Sequence, residues 1–236
     1  MVSVHPLEQL RYIARQWDNA DDFPAQEIAA VLADLADENP ASLLQACRRL
    51  IEYYPSTGAA WWLSARTLSA AGAVEAIWEA AEELSSDPTA ELCAQALPKE
   101  ARVAFPGPPP NLVRALRQRK DVEVSHRTSR KTDLLLLRAR AAGPAGLLFA
   151  RSTSGPLASA AQTGVPVWAV IERGTLLPEE LWQQLLERAL SGGMAVEVAH
   201  ADDLVAVVSE HGRQEPDEAL SKATCPPVAE LLGWKG

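Results

Sequence analysis

The chain has 236 residues, of which 47% are hydrophobic and 22% charged, and its formal net charge is −9. This length permits one large domain or two small ones, and the hydrophobic share excludes a chain that is disordered throughout. Since no apolar run approaches the roughly 20 residues that cross a bilayer, and since the N-terminus lacks the apolar stretch of a signal peptide, we expect a cytoplasmic protein with no membrane partner.

The first 98 residues are predicted to form helices only. Apolar side chains recur there at intervals of three and four residues, which places them on one face of a helix. The pattern predicts helices that carry residues 7–14, 28–35, 43–54, 61–68, 74–84 and 90–96. Asp22 is expected to cap the second helix, and Pro40 to open the third. Short helices on short loops indicate an all-helical N-terminal domain at residues 1–98.

From residue 99 onward, predicted strands and helices alternate. Residues 134–137 and 165–171 are apolar runs, which are typical of strands buried on both faces of a parallel sheet. Further strands are predicted at residues 102–105, 122–124, 146–149, 194–198 and 204–208. Helices are predicted to begin near Asn111, Ser154 and Pro178. The alternation favours an α/β domain with a mainly parallel sheet at residues 99–236.

Charge is unevenly distributed along the chain. Residues 1–100 hold 6 basic and 16 acidic side chains, whereas residues 114–151 hold 10 basic and 3 acidic ones. From residue 152 onward acidic side chains again prevail, 12 to 5. The overall acidity argues against a general nucleic-acid binder. For the basic segment three interpretations stay open: contact with acidic parts of the same chain or of a partner subunit, a solvated face, or contact with phosphate.

Two motifs in the second half carry a family resemblance. An alanine-rich stretch, residues 157–161, leads through the turn Gly164-Val-Pro into the strand at 165–171. Later, Ser209-Glu-His-Gly212 follows a strand and precedes Pro216 and Ala219. In this order and spacing, over about residues 133–222, the chain resembles the superfamily of initiation factor 2B regulatory subunits and methylthioribose-1-phosphate isomerases. The resemblance implies a Rossmann-like C-terminal domain after a helical one, and a homodimer.

The chain departs from the isomerases of this superfamily at the residues that carry chemistry. Where those enzymes end the buried strand with a catalytic Asp, this chain has Ala139 or Arg140. The Asp, Asn and Lys that help them to hold a sugar phosphate are also missing. Their catalytic Cys has no counterpart, because the cysteines here lie in helical segments or near the end, at Cys47, Cys93 and Cys225. Only residues 101–132 stand where the family builds half of its sheet, so we expect an abbreviated sheet.

Arginines stand where the resemblance places carboxylates. An isomerase of this type needs an acid and a base in a dry pocket, and an arginine stays protonated. We therefore predict no catalytic residues, and instead a residual anion site at Arg138, Arg140, Arg151, Ser152 and Thr153. The last three begin a predicted helix, where backbone N–H groups and the helix dipole favour an anion.

Other side chains that often carry chemistry are given structural roles. The histidines show no metal-ligand spacing, and no cofactor is expected; they are His5, His126, His200 and His211. Asp202 and Asp203 are expected to cap a turn. Adjacent residues of a helix point about 100° apart, so of Trp61 and Trp62 one is expected in the core and the other at an interface.

These observations support two functions. The first is a non-catalytic interaction or regulatory protein on an initiation factor 2B/isomerase-like scaffold, with a residual anion or sugar-phosphate site. It would act as a homodimer or with a protein partner. The alternative is an enzyme or sensor that acts on a phosphorylated sugar or nucleotide. Binding of nucleic acid by residues 114–151 is a weaker third alternative.

Overall fold

The structure, a computed structural model, describes residues 6–17 and 23–234. The expectations for His5 and for a cap at Asp22 lie outside these residues. All six predicted N-terminal helices are confirmed: α1 (Pro6–Trp17), α2 (Ala25–Glu38), α3 (Leu43–Tyr53), α4 (Gly58–Ser69), α5 (Ala73–Ser85) and α6 (Thr89–Ala96). Pro40 opens a single 3-10 turn, Pro40–Ser42, and α3 itself begins at Leu43.

Helix α4 lies at the centre of the helical half, and this corrects the expectation for the two tryptophans. Trp61 and Trp62 are both buried, with exposed fractions of 0% and 2%. Helix α4 packs against α3 and α5 and also contacts the second half of the chain, so it has no broad solvent face. Trp61 donates its indole N–H to the Pro55 carbonyl at 3.2 Å. Trp62 lies beside Gly174, in the second half, and thus at the join between the halves.

The second half contains nine strands and four helices among the described residues. The strands are β1 (Arg102–Ala104), β2 (Glu123–Ser125), β3 (Leu134–Arg138), β4 (Ala141–Gly143), β5 (Gly146–Ala150), β6 (Val167–Val170), β7 (Val196–Ala199), β8 (Ala206–Ser209) and β9 (Gly212–Gln214). The helices are α7 (Pro110–Arg117), α8 (Ser154–Thr163), α9 (Glu179–Ser191) and α10 (Pro216–Leu220). Helix α7 begins one residue before Asn111, which lies inside its first turn.

Six strands form one mainly parallel sheet in the order β2-β1-β3-β6-β8-β9, so the predicted α/β class is confirmed. Only β9, joined to β8 by a tight hairpin, runs antiparallel. The leucines of β3 are buried between neighbours on both sides, with Leu135 opposite Val167. Strands β1 and β2 are three residues each, which agrees with a short first half of the sheet.

The predicted strands at 146–149 and 194–198 do not join this sheet. They correspond to β5 and β7, which form a separate antiparallel sheet in the order β4-β5-β7. Only two residues connect β4 to β5, and so short a loop permits a hairpin but not a parallel crossover. Gly146 has a φ of +151°, and a Cβ there would lie 2.5 Å from the Ala199 carbonyl oxygen. A glycine is therefore required at the start of β5.

The turn before β6 explains the first of the two sequence motifs. Gly164 ends α8 with a φ of +70°, a left-handed conformation that glycine adopts at little cost. The chain then enters β6 through Val165 and Pro166. The predicted passage from helix through glycine turn to strand is thereby confirmed.

The two halves share buried clusters. Helix α6 packs on the sheet, where Cys93 belongs to the same cluster as Val103 and Leu136. Helix α9 packs on the N-terminal helices together with the C-terminal residues Cys225, Val228 and Leu231. A domain boundary between residues 98 and 99 stays a prediction. Within the described residues, no helix is both long enough and apolar enough to cross a membrane.

Candidate functional site

A cleft of about 820 Å³ lies where the N-terminal helices meet the sheet. Its helical wall includes residues 53–57 and 84–88. Its other wall includes the residues that follow β3 and β6 and the first turns of α7. In open parallel sheets the carboxyl ends of the strands are the usual place for a ligand. The volume also lies in the range of ordinary small-molecule sites, about 300–1,000 Å³.

Arg138 and Arg140 enter this cleft from the carboxyl end of β3. Successive side chains of an extended chain alternate, so these two arginines share one side while Ala139 between them is buried. The backbone carbonyl of Arg140 accepts from the Gly58 N–H at 2.8 Å, and its own N–H donates to the Leu148 carbonyl at 2.7 Å. The main chain therefore fixes this end of β3 to both α4 and β5.

Glu172, two residues after β6, holds Arg138 in place. The Nε atom of Arg138 donates to the Glu172 carboxylate at 2.5 Å, and the Asn111 amide donates to its other oxygen at 2.8 Å. The two side chains of the ion pair are 23% and 13% exposed. Glu172 thus joins β3, α7 and the loop after β6 on the cleft wall.

Arg173 ties the same loop to the helical half. Its backbone N–H donates to Asp87 at 2.9 Å, and its guanidinium donates to the Glu83 carbonyl at 3.0 Å and to Glu210 at 2.7 Å. Asp87 also accepts from the backbone and hydroxyl of Thr89. Burial raises the pKa of Asp87 above its ordinary value, although these hydrogen bonds act in the opposite direction. Glu210 belongs to the second sequence motif, which therefore contributes an ion pair with Arg173 of the cleft wall.

Arg151, Ser152 and Thr153 lie apart from this cleft. They form a single 3-10 turn before α8, and none of them lines the cleft. Arg151 and Ser152 are exposed, while the buried Thr153 hydroxyl donates to the Ala150 carbonyl at 2.6 Å. The backbone N–H of Arg151 already donates to Ala195. The structure thus brings Arg138 and Arg140 together, and the five-residue anion site stays a prediction.

Positive and negative side chains are equally numerous around the cleft. The arginines are Arg114, Arg138, Arg140 and Arg173, and the carboxylates are Glu27, Asp87, Glu91 and Glu172. Within the described part of the chain, Arg114 has no ion-pair partner and is exposed. The basic segment 114–151 thus has mixed roles, since Arg119 pairs with Asp121, Arg138 pairs with Glu172, and other members are exposed.

The three cysteines and the described histidines do not line this cleft. Burial raises the pKa of each cysteine thiol to about 12, at Cys47, Cys93 and Cys225. Among the described residues, no three His, Cys, Asp or Glu side chains come together as a metal site would require. Asp203 accepts from the His200 N–H at 2.9 Å, so the expected turn cap is confirmed for that residue.

Sequence reasoning missed Asp87, Asn111, Glu172 and Arg173. They come from three distant stretches of the chain, and only the tertiary fold places them around one cleft. One signal was present: Glu172 and Arg173 directly follow a buried strand of a parallel sheet, which is where site residues concentrate. Asp87 precedes Pro88 in a loop between helices and carries no such signal.

No protein-family model and no curated protein sequence matches this chain. Solved structures do share its fold. The translation initiation factor eIF-2B of Pyrococcus horikoshii OT3 superposes with a TM-score of 0.72 at 12% identity, over 93% of this chain and 100% of that one. The eIF2B-beta2-delta2 complex of Chaetomium thermophilum gives 0.74 at 15% identity, over 91% and 92%. The eIF2B beta structure of the same organism gives 0.69 at 14%, over 91% and 89%. The resemblance drawn from the two motifs is thereby confirmed in three dimensions: this chain has the fold of the translation initiation factor eIF2B subunits.

Proposed function

We propose that the chain is a non-catalytic regulatory or interaction protein that binds a small anion, such as a phosphorylated small molecule, in the cleft. The observation that carries this proposal is the pair Arg138 and Arg140, which leaves the carboxyl end of β3 and lines a cleft of ligand size. Arg114 adds a third cation at the cleft wall. Guanidinium groups bind oxyanions through several parallel hydrogen bonds, so they suit a phosphate or carboxylate group.

Two features support a non-catalytic role. The resemblance assigns a catalytic Asp to the end of β3, and this position holds the buried Ala139 or the cationic Arg140. It also assigns a catalytic Cys, and the three thiols of this chain are buried, with pKa values raised to about 12. A thiol with so high a pKa supplies almost no thiolate at neutral pH.

We further propose that the chain assembles with a second copy of itself or with a related subunit, in the cytoplasm. Support comes from the eIF2B-beta2-delta2 structure, in which a chain of this fold is part of a tetrameric complex. The three buried free thiols suit a reducing compartment. Light scattering of the full chain should give at least twice the monomer mass of 25.4 kDa if it assembles with a second copy, and a monomer at micromolar concentration would contradict that form of the proposal.

The anion site is tested by thermal shift of the full chain against a panel of sugar phosphates, nucleotides and inorganic phosphate. A ligand at 100 times its Kd stabilises a protein by about 2.7 kcal/mol, so a binder should raise the Tm by several degrees. Arg140→Ala should abolish this shift. Arg151→Ala removes an exposed arginine outside the cleft and should retain it. If the Tm shift is instead lost in Arg151→Ala and retained in Arg140→Ala, the anion site lies at the start of α8. If no anion shifts the Tm of the native chain, the proposal is refuted.

One observation favours the alternative, an enzyme or sensor for a phosphorylated sugar or nucleotide. Asp87 lines the cleft, and burial raises its pKa, as in many acid–base residues. However, three protein hydrogen bonds already engage its carboxylate. Turnover of any panel member, lost in Asp87→Asn while ligand-induced stabilisation persists, would establish the alternative.

A further inference from the structure

A carboxylate of the protein already occupies the place where a ligand would bind Arg138. The Arg138 guanidinium donates to Glu172 at 2.5 Å, and Asn111 donates to the same carboxylate at 2.8 Å. All three side chains line the cleft. An anion that approaches Arg138 therefore meets a cation that is already neutralised, and a negative charge beside it.

We propose that Glu172 adjusts the specificity of the cleft by charge: it weakens the binding of phosphate monoester dianions more than that of singly charged oxyanions, such as a phosphodiester or a carboxylate. The repulsion from Glu172 acts twice as strongly on a dianion as on a monoanion, because Coulomb energy scales with the charge. The neighbouring cations Arg140 and Arg114 attract both ligands, and this attraction also doubles for a dianion, so the effect of Glu172 appears as a change in the ratio of the two affinities. Because the four carboxylates around the cleft equal its four arginines in number, the cleft has no excess of positive side chains that would mask the effect of Glu172.

This inference rests on the proposed anion site and narrows its ligand. It assigns Glu172 no catalytic step; the residue acts through Arg138 and through its own charge. A purely structural role for Glu172 would predict that its loss weakens all ligands alike. Charge selection predicts instead that its loss strengthens binding, and strengthens it most for dianions.

The test compares sulfate, a dianion at every relevant pH, with nitrate, a monoanion, by calorimetric titration of the full chain. Glu172→Gln keeps the shape of the side chain and an acceptor for Asn111, but it removes the charge and releases Arg138. We expect sulfate affinity to rise about tenfold and nitrate affinity about threefold. An unchanged ratio of sulfate to nitrate affinity in Glu172→Gln would overturn the inference.

Two further variants separate release of Arg138 from a general change of charge. Glu91→Gln removes a carboxylate from the cleft wall that has no ion pair within the described residues, and it should change the ratio much less. Arg138→Gln combined with Glu172→Gln should lose most of the gain. If Glu172→Gln does not fold, Glu172→Asp, which retracts the carboxylate, should give a smaller rise in the same ratio, and no rise would contradict the inference.

Failure of the inference is distinguishable from failure of the proposed function. If the native chain binds anions through Arg140 and Glu172→Gln leaves the ratio unchanged, only the charge selection is wrong. If neither the native chain nor any variant binds sulfate, nitrate or a sugar phosphate, the anion site itself is wrong, and the inference fails with it.

Discussion

The end of β3 and the start of α8 have similar sequences but different surroundings. In each place a buried apolar strand is followed by arginine, Arg138 and Arg140 in one and Arg151 in the other. Strand β3 belongs to the parallel sheet, whose carboxyl edge faces the helical half. Strand β5 belongs to the antiparallel sheet, and its end leads to the surface. The same local pattern therefore leads to the cleft only where the strand belongs to the parallel sheet.

The largest expected difference concerns two glycines: Gly58, whose N–H donates to the Arg140 carbonyl after β3, and Gly155 at the start of α8. A Cβ on Gly58, at the start of α4, would lie 2.6 Å from the Thr175 carbonyl oxygen, whereas one on Gly155 in α8 would meet nothing within 4 Å. Gly58→Ala should lower the free energy of unfolding by about 2 kcal/mol through overpacking. Gly155→Ala should raise it by about 0.5–1 kcal/mol, since alanine favours a helix. Denaturant unfolding of both variants measures the contrast, and equal effects would show that the join at α4 is loosely packed.

A smaller difference is expected between the arginines. Arg138→Ala leaves the largely buried Glu172 with Asn111 as its remaining partner, so we expect a loss of about 1–2 kcal/mol. Arg151→Ala removes an exposed side chain and should change stability by less than about 0.5 kcal/mol. Chemical denaturation of both variants measures their free energies of unfolding, which are comparable when the dependence on denaturant concentration has the same slope. An equally large loss of stability in Arg151→Ala would mean that Arg151 stabilises the start of α8 in spite of its exposure.

The smallest effect is expected from pH. Burial raises the folded pKa of Asp87 above its ordinary value of 3.8. Between pH 3.8 and this raised pKa, the Asp87 carboxyl therefore holds more protons in the folded state than in the unfolded state. This carboxyl therefore makes stability fall as pH rises from about 4 through its raised pKa. Asp87→Asn should flatten that part of the stability profile. In Asp133 the Arg102 partner lowers the pKa to about 2, so Asp133→Asn should act on the profile with the opposite sign, and only at lower pH.

Periodicity and apolar runs were sufficient to predict the helices and the central strands. The helices of the first half follow the spacing of residues such as Ile28, Leu32 and Leu35, all buried on one face of α2. The buried leucine run predicted β3, and the glycine turn at Gly164 predicted the entry to β6. These features depend on local sequence, which is why one chain alone reveals them.

The second sheet and half of the site depend on tertiary contacts. Strand β4 is Ala141-Ala-Gly143, whose small residues have no strand pattern, and its pairing with β5 excluded that strand from the parallel sheet. The Glu172 carboxylate became part of the site only because Asn111 and Arg138, 61 and 34 residues away, meet it. Periodicity in a single sequence does not predict contacts between residues so far apart in the chain.

The C-terminal segment has a consequence for synthesis of the chain on the ribosome. Cys225, Val228 and Leu231 complete the buried cluster of the N-terminal helices, and Arg48 of α3 donates to the Glu230 carbonyl at 2.8 Å. The N-terminal helices therefore cannot close their core until residue 231 has also left the ribosome. Until then their apolar surface stays incompletely covered, which is a state that favours aggregation.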